Sequence, residues 1–273
     1  MNTPPDRTGA YGAVPSKYDA FPGAAPVSFT DPAAKFYPKI ILLAPPFNGK
    51  TTIGLHFPKV DLIDADNKSA NALKIVKPDG WCRRPLVTPE GAPVQEGGWT
   101  NIDNAVTAAC MNSDARTIML DSMSPVDFHL RRHCALATPT SINPSTIGGL
   151  KFMSQAHWSV YEVLLRGLLM KLIAVPKIAI ITVHVEIQKD ELLGGTWQTL
   201  LLPGKSQTTV PQNFTDCWLI TGTGDKDKWT SRIRTVPGGS PRCASLGTSL
   251  DLPHEFDFSW PLVEAALKKR GVL

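Results

Sequence analysis

Residues 40–52 read Ile40-Ile41-Leu42-Leu43-Ala44-Pro45-Pro46-Phe47-Asn48-Gly49-Lys50-Thr51-Thr52. The apolar run reads as a buried strand, a Pro/Asn/Gly turn breaks it, and the chain restarts as a helix at Lys50. The stretch matches the phosphate-binding pattern G-x-x-x-x-G-K-[ST] at every place except the first, where Ala44 stands for glycine. Such a loop aims backbone N–H groups and a helix start at phosphate oxygens. The pattern makes Pro46, Phe47, Asn48, Gly49, Lys50, Thr51 and Thr52 the nucleotide-binding residues. Lys50 is placed to reach the β- and γ-phosphates, and the Thr51 hydroxyl to ligate Mg²⁺. Ala44 adds a methyl where the turn begins, which a residue with φ below zero accommodates.

The totals suit one larger α/β domain or two small ones in 273 residues. Hydrophobic residues make up 42% and charged residues 19%, the balance of a globular core rather than a disordered chain. No apolar run reaches the length of a membrane span, and the N-terminus lacks a basic-then-apolar signal, so the expected location is the cytoplasm. The scattered cysteines Cys82, Cys110, Cys134, Cys217 and Cys243 form no C-x-x-C pair, which fits reduced thiols there. A net charge of +4 permits nucleic-acid binding without demanding it.

Residues 1–36 are rich in proline and small residues and lack an apolar period, so they read as a flexible tail before a core over 37–273. Val60–Asp66 reads as a second strand with Asp64 and Asp66 near its carboxyl end, where ligands of parallel sheets sit; alternatively Asp66 only opens a turn before Asn67. Residues 67–100 read as loops with room for a hairpin. Helical spacing from Asn101 leads to Thr117-Ile118-Met119-Leu120-Asp121-Ser122, an apolar strand ending in a carboxylate suited to the Mg²⁺ shell. The segment 123–157 reads as loops around a solvated helix; His129, His133 and Cys134 share a face there but lack a fourth ligand. An apolar helix over 160–173 precedes a strand over 177–184 that ends in His184, followed by a long polar loop over 185–213. A strand at 216–221, a basic zone on hairpin strands and a short helix over 260–270 complete the chain.

This order of motifs resembles the RecA-type ATPases, and within them the phage-encoded, RecA-like single-strand annealing ATPases. The likeness rests on Ala44–Thr52, Leu62-Ile63-Asp64-Ala65-Asp66, Ile118–Ser122, and Ile180–Glu186 with Leu202-Pro203-Gly204-Lys205 after it. It implies an α/β fold, a RecA-like P-loop NTPase core with a mostly parallel central sheet flanked by helices. It also implies ATP and Mg²⁺ as cofactors, with Lys50, Asp66, Asp121 and His184 as the catalytic set. Thr51 and Asp121 would hold the metal, the latter through water. Asp66 stands where the family carries a water-polarising glutamate, and His184 where a glutamine senses the γ-phosphate. The loops 123–157 and 185–213 would line a DNA path, making Arg131, Arg132, Lys151, Lys189 and Lys205 DNA-binding. Arg232, Arg234 and Arg242 would act in trans on a neighbour's nucleotide.

The function so implied is an ATP-hydrolysing recombination protein that binds single-stranded DNA. It would promote annealing or strand exchange as a homo-oligomeric ring or filament, in the host cytoplasm if phage-encoded, beside a single-strand-binding protein and away from membranes. The competing readings are a nucleotide-gated annealing protein with little turnover, a helicase-loader ATPase, and a small-substrate kinase, which would want a lid that the chain does not display.

Overall fold

Strands covered by helices on both faces need apolar side chains at nearly every position, and the runs around Ile41, Ile63, Met119 and Ile180 meet that need. In the computed structural model, which describes residues 36–86, 98–137, 145–147, 150–189, 196–223, 230–237, 242–243 and 246–273, these runs form the centre of one sheet. The tail expected over 1–36 lies outside the described residues except for Phe36.

The strands are β1 (Lys39–Ala44), β2 (Val60–Asp64), β3 (Cys82–Pro85), β4 (Thr117–Asp121), β5 (Ser145–Ile147), β6 (Leu150–Phe152), β7 (Ile178–Lys189), β8 (Thr196–Leu200), β9 (Asp216–Thr223), β10 (Thr230–Arg234), β11 (Arg242–Cys243) and β12 (Glu255–Asp257). The helices are α1 (Lys50–Leu55), α2 (Ala70–Val76), α3 (Gly98–Met111), α4 (Met123–Ala137), α5 (Gln155–Ala174), α6 (Ser206–Thr209) and α7 (Trp260–Lys269). The main sheet runs β12-β10-β9-β1-β7-β4-β2-β3, parallel from β9 to β3 and antiparallel through β10 and β12. This is the RecA-like, mostly parallel α/β core expected above. Strand β7 lies between β1 and β4, so the phosphate-loop strand and the Asp121 strand are separated by the one that carries His184.

Alternate side chains of each strand go to opposite faces. Ile41, Leu43, Ile63, Leu120 and Ile181 pack with Val106 of α3, Leu130 of α4 and Leu165 of α5. Ile40, Leu42, Leu62, Ile180 and Trp218 pack with Ile53 of α1, Ala72 of α2 and Leu267 of α7. Two lysines, buried Lys39 and half-buried Lys177, close helix ends. Lys39 Nζ donates to the carbonyls of Leu172, Val175 and Lys177 around the end of α5, and Lys177 Nζ to those of Ala109, Cys110 and Asn112 around the end of α3.

Three sequence expectations need correction. The segment 67–100 holds helix α2, parallel strand β3 and the start of α3 rather than loops or a hairpin. Strand β3 escapes a hydropathy reading because Cys82-Arg83-Arg84-Pro85 is polar; it belongs in the sheet because Arg84 pairs with buried Asp61 and Arg83 with buried Asp64. The segment 123–157 opens with α4, whose Met123, Val126, Leu130 and Cys134 are buried, so this helix is half core rather than solvated. The long loop expected over 185–213 is mostly ordered secondary structure: β7 runs on past His184 to Lys189 and pairs antiparallel with β8, Val185 facing Leu200 and Ile187 facing Gln198. His184 therefore sits within a strand, at its last pairing with β1, and not at the strand's end.

Candidate functional site

Register brings the site together at the carboxyl ends of the parallel strands. Ala44 is opposite His184, and Asp64 is opposite Asp121. The loop from Pro45 to Gly49 leaves β1 and returns as α1. Gly49 adopts φ 80, in the left-handed region that suits glycine, and a Cβ there would come within 2.9 Å of Ser231 Oγ. Phe47 also has positive φ, 64, with its ring 98% exposed at the loop tip. Ala44 is buried and has no positive φ, so the methyl that breaks the pattern costs the loop nothing. Asn48 fastens the loop: its Nδ2 donates to Pro46 O at 2.9 Å, and its Oδ1 accepts from Gly222 N of β9 at 2.7 Å.

Lys50 is 7% exposed, and its Nζ donates to Ala44 O at 2.9 Å and Pro45 O at 3.0 Å. It lies 3.1 Å from His184 Nδ1. Burial lowers the Lys50 pKa to about 8, while Asp121 and then Asp66 oppose the shift. Burial, followed by the Lys50 charge, lowers the His184 pKa, which keeps the imidazole neutral and able to accept from Lys50.

Thr51 Oγ1 donates to Asp121 Oδ2 at 2.6 Å, and Thr182 Oγ1 donates to the other oxygen, Oδ1. Burial raises the Asp121 pKa, the two threonine hydroxyls lower it, and Asp66 and Asp64 raise it further. A buried carboxylate so placed, touching a hydroxyl with free lone pairs, suits a divalent cation with oxygen ligands. The residues present therefore fit Mg²⁺, held by Thr51 and Asp121. Asp66 lies beyond β2, where its Oδ2 accepts from Ser122 Oγ at 3.3 Å and its buried Oδ1 has no hydrogen-bond partner. Asp64, read as a second carboxylate near the phosphates, is instead saturated by Arg83, Ser69 and the Lys68 amide.

The remaining sequence-predicted residues lie apart from this centre. Arg131 on α4 pairs with Asp127 at 2.6 Å, and the same carboxylate accepts from Tyr161 Oη at 2.8 Å. Arg132 is exposed beside the exposed ring of Phe128, and Lys205 is exposed ahead of α6. Arg232 and Arg234 on β10 both engage Glu255 of β12, at 2.9 and 3.6 Å. The side chains of Lys151, Lys189 and Arg242 lie outside the described residues. His129 and His133 pack near Gly98 and Trp99, and among the described residues no group of three His, Cys, Asp or Glu side chains is placed to hold a metal. Sequence reading missed Thr182, Ser122 and Arg83. Thr182 carries a signal, a lone hydroxyl in the aliphatic run Ile178–Val183, whereas Arg83 carries none without its partner.

The strand order, the phosphate loop and the carboxylates beside it define a P-loop NTPase with a RecA-like core. No family profile matches the chain, and no curated protein matches it in sequence. Among solved structures, the flagellar accessory protein FlaH from Methanocaldococcus jannaschii aligns over 81% of this chain and 86% of its own, with 10% identity and a TM-score of 0.33. That likeness is too distant to bear on substrate or partner. Among the described residues no helix is long and apolar enough to cross a membrane.

Proposed function

We propose that the chain is a DNA-stimulated ATPase that binds single-stranded DNA and promotes annealing or strand exchange as a homo-oligomer. The observation that carries the ATPase part is the convergence of Lys50, Thr51, Asp121 and the unpartnered Asp66 Oδ1 at one end of the sheet. Bound Mg²⁺ supplies neutralisation of charge on the phosphoryl oxygens. Lys50 exchanges its loop carbonyls for phosphate oxygens. Thr51 and, through water, Asp121 would hold the metal, and Thr182 fixes the carboxylate's orientation. Asp66 Oδ1 accepts a hydrogen bond from the attacking water and orients it.

The DNA part is supported by Arg131, Arg132 and Lys205, with Phe128 available for stacking a base. Steady-state hydrolysis measured with and without single-stranded DNA tests the reading. Stimulation by single strands that Asp66→Asn abolishes is expected. ATP turnover that ignores DNA would leave an NTPase acting on another partner, and binding without turnover would leave a nucleotide-gated protein.

A further inference from the structure

Asp66 has little of its own to hold it in place: one hydrogen bond from Ser122 at 3.3 Å, and an exposed Lys68 ammonium at 3.6 Å. Its neighbours are gripped hard. The backbone carbonyl of Asp121 accepts from Ala65 N at 2.6 Å. Asp64 Oδ1 accepts from Lys68 N at 3.2 Å, and Asp64 Oδ2 accepts from Ser69 Oγ at 2.5 Å and Ser69 N at 3.3 Å. One side chain spans this loop. Arg83 on β3 donates from Nε and Nη2 to Asp64 Oδ2 at 3.0 and 2.7 Å, and from the same Nη2 to Asn67 Oδ1. Asp64 and Asn67 bracket Ala65-Asp66, and Asn67 turns the chain at φ 55, a left-handed conformation that asparagine accommodates.

We propose that Arg83 is the positioning residue for Asp66, acting through the 64–67 turn that its guanidinium clasps from both sides. The inference rests on the reading of Asp66 as the water-orienting carboxylate. Neutralising Asp64 is a separate role that any cation would fill. The Nε–Nη2 edge of the guanidinium fixes its plane on Asp64 while Nη2 reaches Asn67, and a lysine, whose compact ammonium rotates freely, lacks that fixed edge. The clasp reaches the site from the neighbouring strand without touching nucleotide, so it sets where Asp66 Oδ1 points and not how tightly phosphates bind.

The test compares wild type with Arg83→Lys, Arg83→Met and the double variant Asp64→Asn/Arg83→Met. Each is read for hydrolysis, nucleotide affinity and amide hydrogen exchange of residues 65–69 in nucleotide-free protein. Arg83→Lys and Arg83→Met are expected to lower kcat by about 10–100-fold with affinity nearly unchanged, the scale of losing a group that orients a functional ligand. Exchange at 65–69 should rise by about tenfold or more while β1 and β4 keep their protection. If Arg83→Met fails to fold because Asp64 is left charged and unpaired, the double variant, which removes that charge, carries the test. Wild-type exchange and turnover in the double variant would overturn the proposal, since Arg83 would then only neutralise Asp64. If wild type itself hydrolyses nothing, the ATPase reading fails, and unchanged exchange in Arg83→Lys would separately overturn the clasp.

Discussion

At the residue level, Lys50 carries its charge where burial opposes it, and this has a pH signature. Its pKa stands at about 8, so below that pH the ammonium is already formed and ready for phosphate. Above it, binding must take up a proton, and affinity should fall by up to about tenfold per pH unit until the phosphate-bound pKa is passed. Isothermal titration of a nucleoside triphosphate from pH 7 to 10 checks the direction; Lys50→Arg should flatten the decline, because a guanidinium keeps its charge. Lys50→Ala should abolish hydrolysis, and turnover near the wild-type rate would refute the phosphate-loop assignment. Asp121 presents the converse case. Its pKa is raised by burial, so its charge costs stability above the ordinary carboxylate range unless a cation is near. Asp121→Asn should therefore melt at the same temperature as wild type or higher, while losing most of the Mg²⁺-dependent gain that nucleotide confers. A variant that unfolds instead would make Asp121 a structural residue.

At the level of elements, helices α3 and α5, on one face of the sheet, depend on caps drawn from distant parts of the chain. Lys39 belongs to β1, yet its ammonium satisfies carbonyls at the end of α5, and burial lowers its pKa to about 8. Lys39→Met keeps the aliphatic stem and strands those carbonyls. The cost should be about 1–3 kcal/mol in chemical denaturation, typical of buried polar groups left without partners. A smaller loss would mean that water replaces the ammonium. Strand β3 shows the same dependence in another form, since two arginines in four residues enter the sheet only because Asp61 and Asp64 wait beside them. Pairing with β8 carries the His184 strand beyond the parallel sheet, and Leu201 N, just past β8, donates to His184 O at 2.8 Å.

For the whole molecule, the proposed DNA path would run over exposed basic side chains rather than a buried pocket. Affinity for single strands should then fall steeply with salt, and Arg132→Ala and Lys205→Ala should each reduce the log–log salt slope by about one counterion without changing base preference. Equal affinity for duplex and single strands across a salt series would argue against an annealing role. Sedimentation with and without nucleotide reports whether the chain assembles, which its proposed activity requires.

The phosphate loop, the core strands and the order of the motifs were legible in the residues, because each depends on local pattern: continuous apolar runs, a glycine before Lys50, a carboxylate after an apolar strand. Contacts made across the sheet were not. Arg83 and Arg84 look like surface charge until β3 lies beside β2. His184 looks like a strand's last residue until pairing with β8 extends it. Thr182 looks like core until β7 is set between β1 and β4. Each of these roles is a relation between residues separated by many positions in the chain, and a buried ion pair or a hydrogen bond to a carboxylate leaves no period in the sequence. Hydropathy encodes which side chains leave water; the pairing of those that remain polar is settled when strands take their places.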